Sequence, residues 1–284
     1  MTAAASPAAR EPGERQRERA EARRRLERRG QAIAAISTIA FFGVVSVLIL
    51  TSPGWPDVRD TFFDWNEFKS SFPDIAKAFW LDIRVFCVVE VAVLILGLIV
   101  ALVRTTRGPA LFPLRILAVG YTDIFRGIPT ILLVYLIGFG VPALDLSGVP
   151  SEPLVLGGIA LMLSYGGYVA EVYRAGLRSV HRGQREAALA VGLTEGQALR
   201  HVIVPQAVRN VGPPLLNDFI ALQKDVALLG ILGVVGEAFR EAQIIATTDF
   251  DYTPMVAAAL LYMCITIPLA RILDKWGGLG GQAR

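Results

Sequence analysis

Residues 186–205 read EAALAVGLTEGQALRHVIVP, and this polar stretch between apolar segments orders the rest of the chain. Ala187, Ala188, Ala190 and Gly192 leave little side-chain bulk on one short helix, so its backbone is suited to press against a partner groove. Glu186, placed near the start of that helix, favours the positive end of the helix dipole and is positioned to pair with a basic group on a partner. Gly192 through Gly196 supplies a turn, and Pro205 limits how far a second short helix runs. On these physical grounds alone, an amphipathic helix packed on its own domain remains the alternative.

On either side the chain is apolar: 54% of its 284 residues are hydrophobic and its mean hydropathy is +0.51. That exceeds what a soluble core of this size requires and points to an all-helical membrane protein. A bilayer crossing takes about 20 apolar residues, and six such spans are expected: Ala32–Leu50, Arg84–Val103, Leu117–Gly140, Leu154–Tyr173, Pro213–Gly236 and Met255–Leu273. The expected organisation is a basic cytoplasmic segment over 1–30, a first span and extracytoplasmic loop over 31–80, a transmembrane domain over 81–276 enclosing a cytoplasmic loop at 174–212, and a tail at 277–284.

Arginine sets the orientation. Residues 1–30 hold nine Arg against five Glu. The loop after the second span holds Arg104, Arg107 and Arg115, and the loop after the fourth holds Arg174, Arg178, Arg182, Arg185, Arg200 and Arg209. The segments around Asp57–Asp82 and Glu237–Asp251 are mostly acidic. Both termini are therefore expected in the cytoplasm, with Arg271, Lys275 and Arg284 at the end. The first apolar run reads as a retained helix, because it ends in Leu50-Thr51-Ser52-Pro53 without a small-x-small cleavage site. Glu11/Arg15 and Glu21/Arg25 at i,i+4 spacing support a solvated helical head that touches anionic lipid headgroups.

Covalent chemistry is not expected within this chain. Cys87 and Cys264, its two cysteines, fall in separate expected spans and imply no disulfide framework. His181 and His201 give no metal-ligand constellation and no general base facing a membrane cavity, so neither a metal site nor catalytic residues are expected. Lys69, Lys77, Lys224 and Lys275 follow Phe, Ala, Gln and Asp, so no phosphate-binding Gly-Lys exists. If ATP drives this protein, another chain hydrolyses it. No nucleic-acid partner is expected.

An acidic residue, two alanines, three residues, a glycine, nine residues, then aliphatic-spacer-aliphatic-proline resembles the EAA loop of ABC importer permeases, carried here by Glu186, Ala187, Ala188, Gly192, Val202, Val204 and Pro205. Ser164-Tyr165, Tyr168-Val169-Ala170-Glu171, Gly183-Gln184, Pro205-Gln206-Ala207, Pro213-Pro214, Asn217, Phe219-Ile220 and Lys224-Asp225 are similar to the permeases for polar amino acids. Tyr121 through Pro129, with Arg126-Gly127-Ile128-Pro129, resembles their Arg-Gly-Thr-Pro segment, although Ile128 replaces the threonine. The resemblance implies a MetI-like fold and a membrane-embedded subunit of an inner-membrane importer for a polar amino acid or a similar solute such as an opine. It implies a second permease chain, two ABC ATPase subunits on the loops that carry the ATP and Mg, and an extracytoplasmic solute-binding protein. Two other classes compete: an ion-coupled secondary transporter, and a membrane sensor or scaffold.

Charge inside hydrocarbon is costly and marks functional positions. Glu90, Glu171, Lys224 and Asp225 are such candidates, with Asn217 and Arg126 near the path. Arg126 reads equally as an inside-facing topology charge. Lys224 lies roughly 16 Å along its span from Pro213. Consecutive residues point about 100° apart on a helix, so at least one of Lys224 and Asp225 is expected to reach another helix. Glu90 either pairs with Lys224 or meets a substrate ammonium. Gly230, Gly233 and Gly236 are expected to form a helix-packing face.

Overall fold

The computed structural model describes residues 14–105 and 108–281, with side chains described over 27–105 and 108–275. The chain divides into two compact units, residues 1–59 and 60–284. The expected i,i+4 pairs of the basic head, Arg107 and the last residues of the tail, Arg284 included, lie outside these descriptions.

All regular structure among the described residues is helical. Helix α1 (Glu14–Leu50) carries the first span, and its apolar side chains, Ile36, Ile39 and Leu48 among them, are exposed. The short α2 (Trp55–Phe62) leads into α3 (Trp65–Thr105), which is 41 residues long. The expected boundary at residue 80 therefore falls inside a helix. Much of the segment read as a loop is the first half of α3, whose Ile75, Ala78 and Phe79 bury against Ala238, Ala242, Ala257 and Ala258. Polar residues such as Asp74 and Lys77 dilute the apolar signal there, but one buried stripe suffices to hold a helix.

The third expected span is a broken one. Helices α4 (Phe112–Gly127) and α5 (Thr130–Ala143) meet at 106°. Ile128 precedes a proline and is driven to an extended conformation (φ −97°, ψ 129°), which ends α4. The break is stitched to the next helix, α6 (Pro153–Ser179), by Thr130 Oγ1 and Ser164 Oγ at 2.9 Å and by the Tyr168 hydroxyl donating to the Arg126 carbonyl at 3.3 Å. A hydroxyl two residues after the expected threonine position thus serves the fold.

Helix α6 is central, packing on α3, α4, α5 and α9. Small residues permit the close approach. A Cβ on Gly97 would stand 2.6 Å from Val169 Cγ1, and one on Gly176 only 2.0 Å from Val211 Cγ1. The outer face of α3, with Val88, Val91, Ile95 and Leu102 exposed, suits lipid contact.

After α6 come two short helices, α7 (Arg182–Ala190) and α8 (Glu195–Ala198). The chain then widens to i→i+5 hydrogen bonding over Leu199–Ile203 and enters α9 (Val204–Asp225) without a break. Pro205 falls where the i→i+5 segment passes into α9, inside continuous helical backbone, so it does not curtail the second helix as expected. The fifth expected span consequently begins nine residues early, runs through Pro213 and Pro214, and tightens after Asp225 into a 3₁₀ segment, Val226–Leu232. Gly233 (φ +75°) and Gly236 (φ +81°) then turn the chain, so the glycine triplet is not one helical face. Only Gly230 makes the close approach, to Glu237 and Phe239. Helices α10 (Ala238–Asp249) and α11 (Thr253–Gly281) complete the chain. Among the described residues, four helices are long and apolar enough to cross a membrane, five counting the bent pair as one span. Helix α9, with Asp218, Lys224 and Asp225 in it, is not among them. The architecture is all-helical as expected, with four or five spans by this measure where the sequence suggested six.

Candidate functional site

The loop stretch folds as a brace with one face free. The His181 ring caps α7 by accepting from the Gly183 N–H at 3.1 Å. Thr194 and Gln197 form a capping box at α8, the Gln197 N–H donating to Thr194 Oγ1 at 3.4 Å and the Thr194 N–H to Gln197 Oε1 at 2.9 Å. Between them Gly192 adopts φ +89°, the left-handed conformation that closes the turn, and Arg185 pairs with Glu195 across it. Ala188 and Ala198 are buried, whereas Glu186, Ala187, Gly192, Val204 and Pro205 are exposed, Val202 is half-buried, and Val191 is 80% exposed.

Glu186 is therefore not at the helix start. His181 takes the cap five residues earlier, and Glu186 stands in the middle of α7, facing outward with no partner among the described residues. Val191, the Glu186 carboxylate, Ala187 and Ala190 are all exposed on this loop.

A second site lies where α4, α6 and α9 converge. Glu171 is held by Arg104 and Arg174, with Arg126 Nη1 at 3.8 Å, and its side chain is 16% exposed. Arg104 also donates to Thr122 Oγ1 at 2.8 Å. Arg126 lies over the Tyr168 ring, 5.6 Å from the centroid. Beside this cluster opens a cleft of about 450 Å³ lined by Arg126, Tyr168, Glu171, Ser179, Asn210 and Asp218. Asn210 Nδ2 donates to Ser179 Oγ at 2.7 Å along one edge. Arg126 thus belongs to an ion cluster and to a cleft wall at once.

The remaining candidates are dispersed. Asp225 reaches α6, accepting a 2.8 Å bond from the Tyr165 hydroxyl, as the helical geometry of Lys224-Asp225 required. Lys224 is exposed and Asn217 is exposed. Glu90 makes no ion pair with Lys224; the charge that acts on it is that of Asp218. Asp218 was not among the sequence candidates. Asn217 beside it drew the reading, and only its rotation toward α3, α4 and α6 reveals it.

Two other carboxylates were missed. Glu237, 1% exposed, caps α10 by accepting from the Phe239 N–H at 2.9 Å and the Arg240 N–H at 2.7 Å. Asp82 on α3 accepts from the Ala238 N–H at 3.3 Å and from the Tyr262 hydroxyl at 2.8 Å. That hydroxyl also lies 3.4 Å from Glu237 Oε1, and Asp82 Oδ1 has no hydrogen-bond partner among the described residues. Burial, reinforced by the charge of Asp82, pushes the Glu237 carboxyl up to about 8 against the bonds that favour its ionised form. The Arg240 guanidinium is engaged with Gln243 and supplies no counter-charge that registers at Glu237.

A raised pKa stabilises the folded state while the carboxyl stays protonated, so the contribution is complete below about 4.5 and is lost as pH rises through about 8. Hydrogen exchange at the Ala238, Phe239 and Arg240 amides should accelerate beyond the intrinsic base dependence between pH 6 and 9, and Glu237→Gln should flatten that excess. An unchanged excess in the variant would remove Glu237 as its source.

Residues 93–275 match the family described as binding-protein-dependent transport system inner membrane component. The chain is 37% identical over 212 residues to the probable amino-acid permease protein YxeN of Bacillus subtilis (strain 168), an alignment covering 74% of this chain and 93% of that one. It is 30% identical to the glutamine transport system permease protein GlnP of Escherichia coli (strain K12), over 75% of this chain and 95% of that one. Among solved structures, it superposes on a chain of an amino acid ABC transporter crystallised with histidines with a TM-score of 0.67 and 28% identity, covering 75% of this chain and 97% of the other.

Proposed function

We infer, from the premise that this chain belongs to the family of binding-protein-dependent transport system inner membrane components, that it lines the translocation path of an ATP-driven importer for polar amino acids. The observation that carries the coupling half of this reading is the α7–α8 loop: braced from inside by Arg185–Glu195 and two caps, and open outward at Glu186, Ala187 and Val191. A rigid surface with small side chains transmits displacement, whereas a soft one absorbs it. ABC ATPase subunits, which bind ATP and Mg, dock there from the cytoplasm; the arginine-rich segments support a cytoplasmic position for that loop and for both termini.

A second permease chain completes the path and an extracytoplasmic binding protein delivers the solute. Closure of the ATPases around ATP favours the outward-facing state through the loop, and release of the nucleotide favours the inward-facing one. Transport follows because ATP and solute bind these states unequally. This chain itself moves solute and breaks no covalent bond.

The test is uptake into vesicles containing this chain, its co-purifying ATPase and its binding protein, screened over the common amino acids. Uptake is expected only with ATP and only for a narrow class of amino acids. Uptake driven by an ion gradient without the ATPase would replace this reading with a secondary transporter.

A further inference from the structure

An apolar groove of about 440 Å³ runs between α3 and α6, walled by Val88 and Ala92 on one side and by Val155, Ile159 and Met162 on the other. Gly158 keeps it open. A Cβ there would meet only Val89 Cγ2, at an ordinary 3.5 Å, so helix packing does not demand the bare backbone. The adjacent Gly157 differs, because a Cβ on it would stand 2.2 Å from Leu229 Cδ2 in the core. Val88 and Val155 are exposed, so the groove opens outward. No water fills such a groove at membrane depth, and an empty one forfeits the contacts of every side chain that lines it. Hydrocarbon is the filler that a bilayer supplies.

Arg84 is the one charged residue in the lining. Its side chain is exposed and has no ion pair or hydrogen bond among the described residues. The nearest acidic residues in sequence do not engage it: Asp82 is turned inward to the Ala238 N–H and the Tyr262 hydroxyl, and Glu152 at the start of α6 forms no ion pair among the described residues. Trp80 and Lys77, four and seven residues before Arg84, are exposed on the same face of α3. A tryptophan there marks headgroup depth, and long cations beside it reach phosphates. Asp74, also exposed, lies ten residues before Arg84, about 15 Å along the helix, too far to neutralise it. From Arg84 to Ala92 the groove follows eight residues, about 12 Å of helix, close to the ~15 Å depth of hydrocarbon in one leaflet. A ligand with a long alkyl chain and an anionic head matches this arrangement, the chain lying in the groove and the head on the cations.

We propose that this groove holds one acyl chain of an anionic phospholipid whose phosphate is bound by Arg84, with Lys77 supplying the second positive charge. The lipid fills the seam between α3 and α6 and belongs to the leaflet at the start of α3, the extracytoplasmic one in the orientation inferred above. Each cation near the surface favours an anionic headgroup over a zwitterionic one by about fivefold, and the pair by about thirtyfold.

The test is native mass spectrometry of the purified full-length chain, released from detergent micelles that contain equal amounts of phosphatidylglycerol and phosphatidylcholine with the same acyl chains. The wild-type chain should retain one phosphatidylglycerol, preferred over phosphatidylcholine by about thirtyfold. Arg84→Gln, at an exposed position, should cut that preference to about fivefold, and Arg84→Lys should keep it. Gly158→Leu, which fills the groove, should remove retained lipid of both kinds while helical content by circular dichroism is unchanged; if that variant does not fold, the Arg84 pair decides the matter without it. A wild-type chain that retains no phospholipid overturns the proposal, as does a preference unchanged in Arg84→Gln. Phosphatidylglycerol that stays on folded Gly158→Leu overturns it too, by placing the lipid on another surface. Lipid-free wild-type dimers that Gly158→Leu splits into monomers would overturn it in favour of a second copy of the chain in the groove.

Discussion

Glu186→Lys should all but abolish ATP-driven uptake, lowering it by at least about thirtyfold, while the chain still inserts and folds. The two halves of this expectation come from different observations. Folding is spared because Glu186 is exposed in mid-helix and has no partner among the described residues, and the loop is braced by Arg185 with Glu195 instead. Uptake is lost because the substitution reverses a charge at the centre of the docking face. Unpairing or opposing a charge across an interface costs about 2–5 kcal/mol, a factor of roughly 30 to several thousand in affinity. ATP hydrolysis by the partner should no longer respond to solute. If uptake in the variant stays within a few-fold of wild type, α7 is a surface helix and the coupling surface lies elsewhere.

Glu171→Gln should be the most destabilising single change among the polar residues of the bundle. Its carboxylate is the shared counter-charge of Arg104, Arg174 and Arg126, and the Arg104 side chain is only 11% exposed. Removing one partner of a buried pair costs about 3–5 kcal/mol because the other charge is left uncompensated. Partial exposure of this cluster places the cost near about 3 kcal/mol. A thermal-unfolding midpoint lower by about 5–10 °C is expected for a chain of this size. Glu195→Gln is the control: its pair with Arg185 is more than half exposed and worth well under about 1 kcal/mol in stability. Equal midpoints for the two variants would show that the arginines around Glu171 are solvated and need no counterion.

The turn of the α7–α8 loop was legible in sequence because its signal is local: Gly192, where a turn was expected, takes φ +89°. The start of α7 and the course past Pro205 were not, because His181 supplies the cap and the i→i+5 segment carries the helix through. The helices were legible as apolar runs, and the bend at Ile128-Pro129 followed from the proline. What escaped was set by helix rotation and by contacts distant in sequence. Lys224 was one of two partners expected for Glu90, but Lys224 turns outward and Asp218 occupies the side that Glu90 senses. Asp82 is buried only because α10 and α11, more than 150 residues later, bring the Ala238 N–H and the Tyr262 hydroxyl to it. The regularly spaced Gly230, Gly233 and Gly236 imitated a packing face, whereas the 3₁₀ segment ends at Leu232 and the last two turn the chain. Sequence spacing defines a face only where the helix persists.

The central claim, that the α7 face docks an ATPase, is tested most directly by a cysteine placed at exposed Ala187 and a bifunctional thiol–amine cross-linker applied to the purified complex. The account predicts a cross-link from position 187 to the ATPase whose yield changes between nucleotide-free and ATP-trapped states, and none from the native Cys87 or Cys264, which lie on membrane-spanning helices. An ATPase that co-purifies yet never cross-links from position 187 in either state would contradict it.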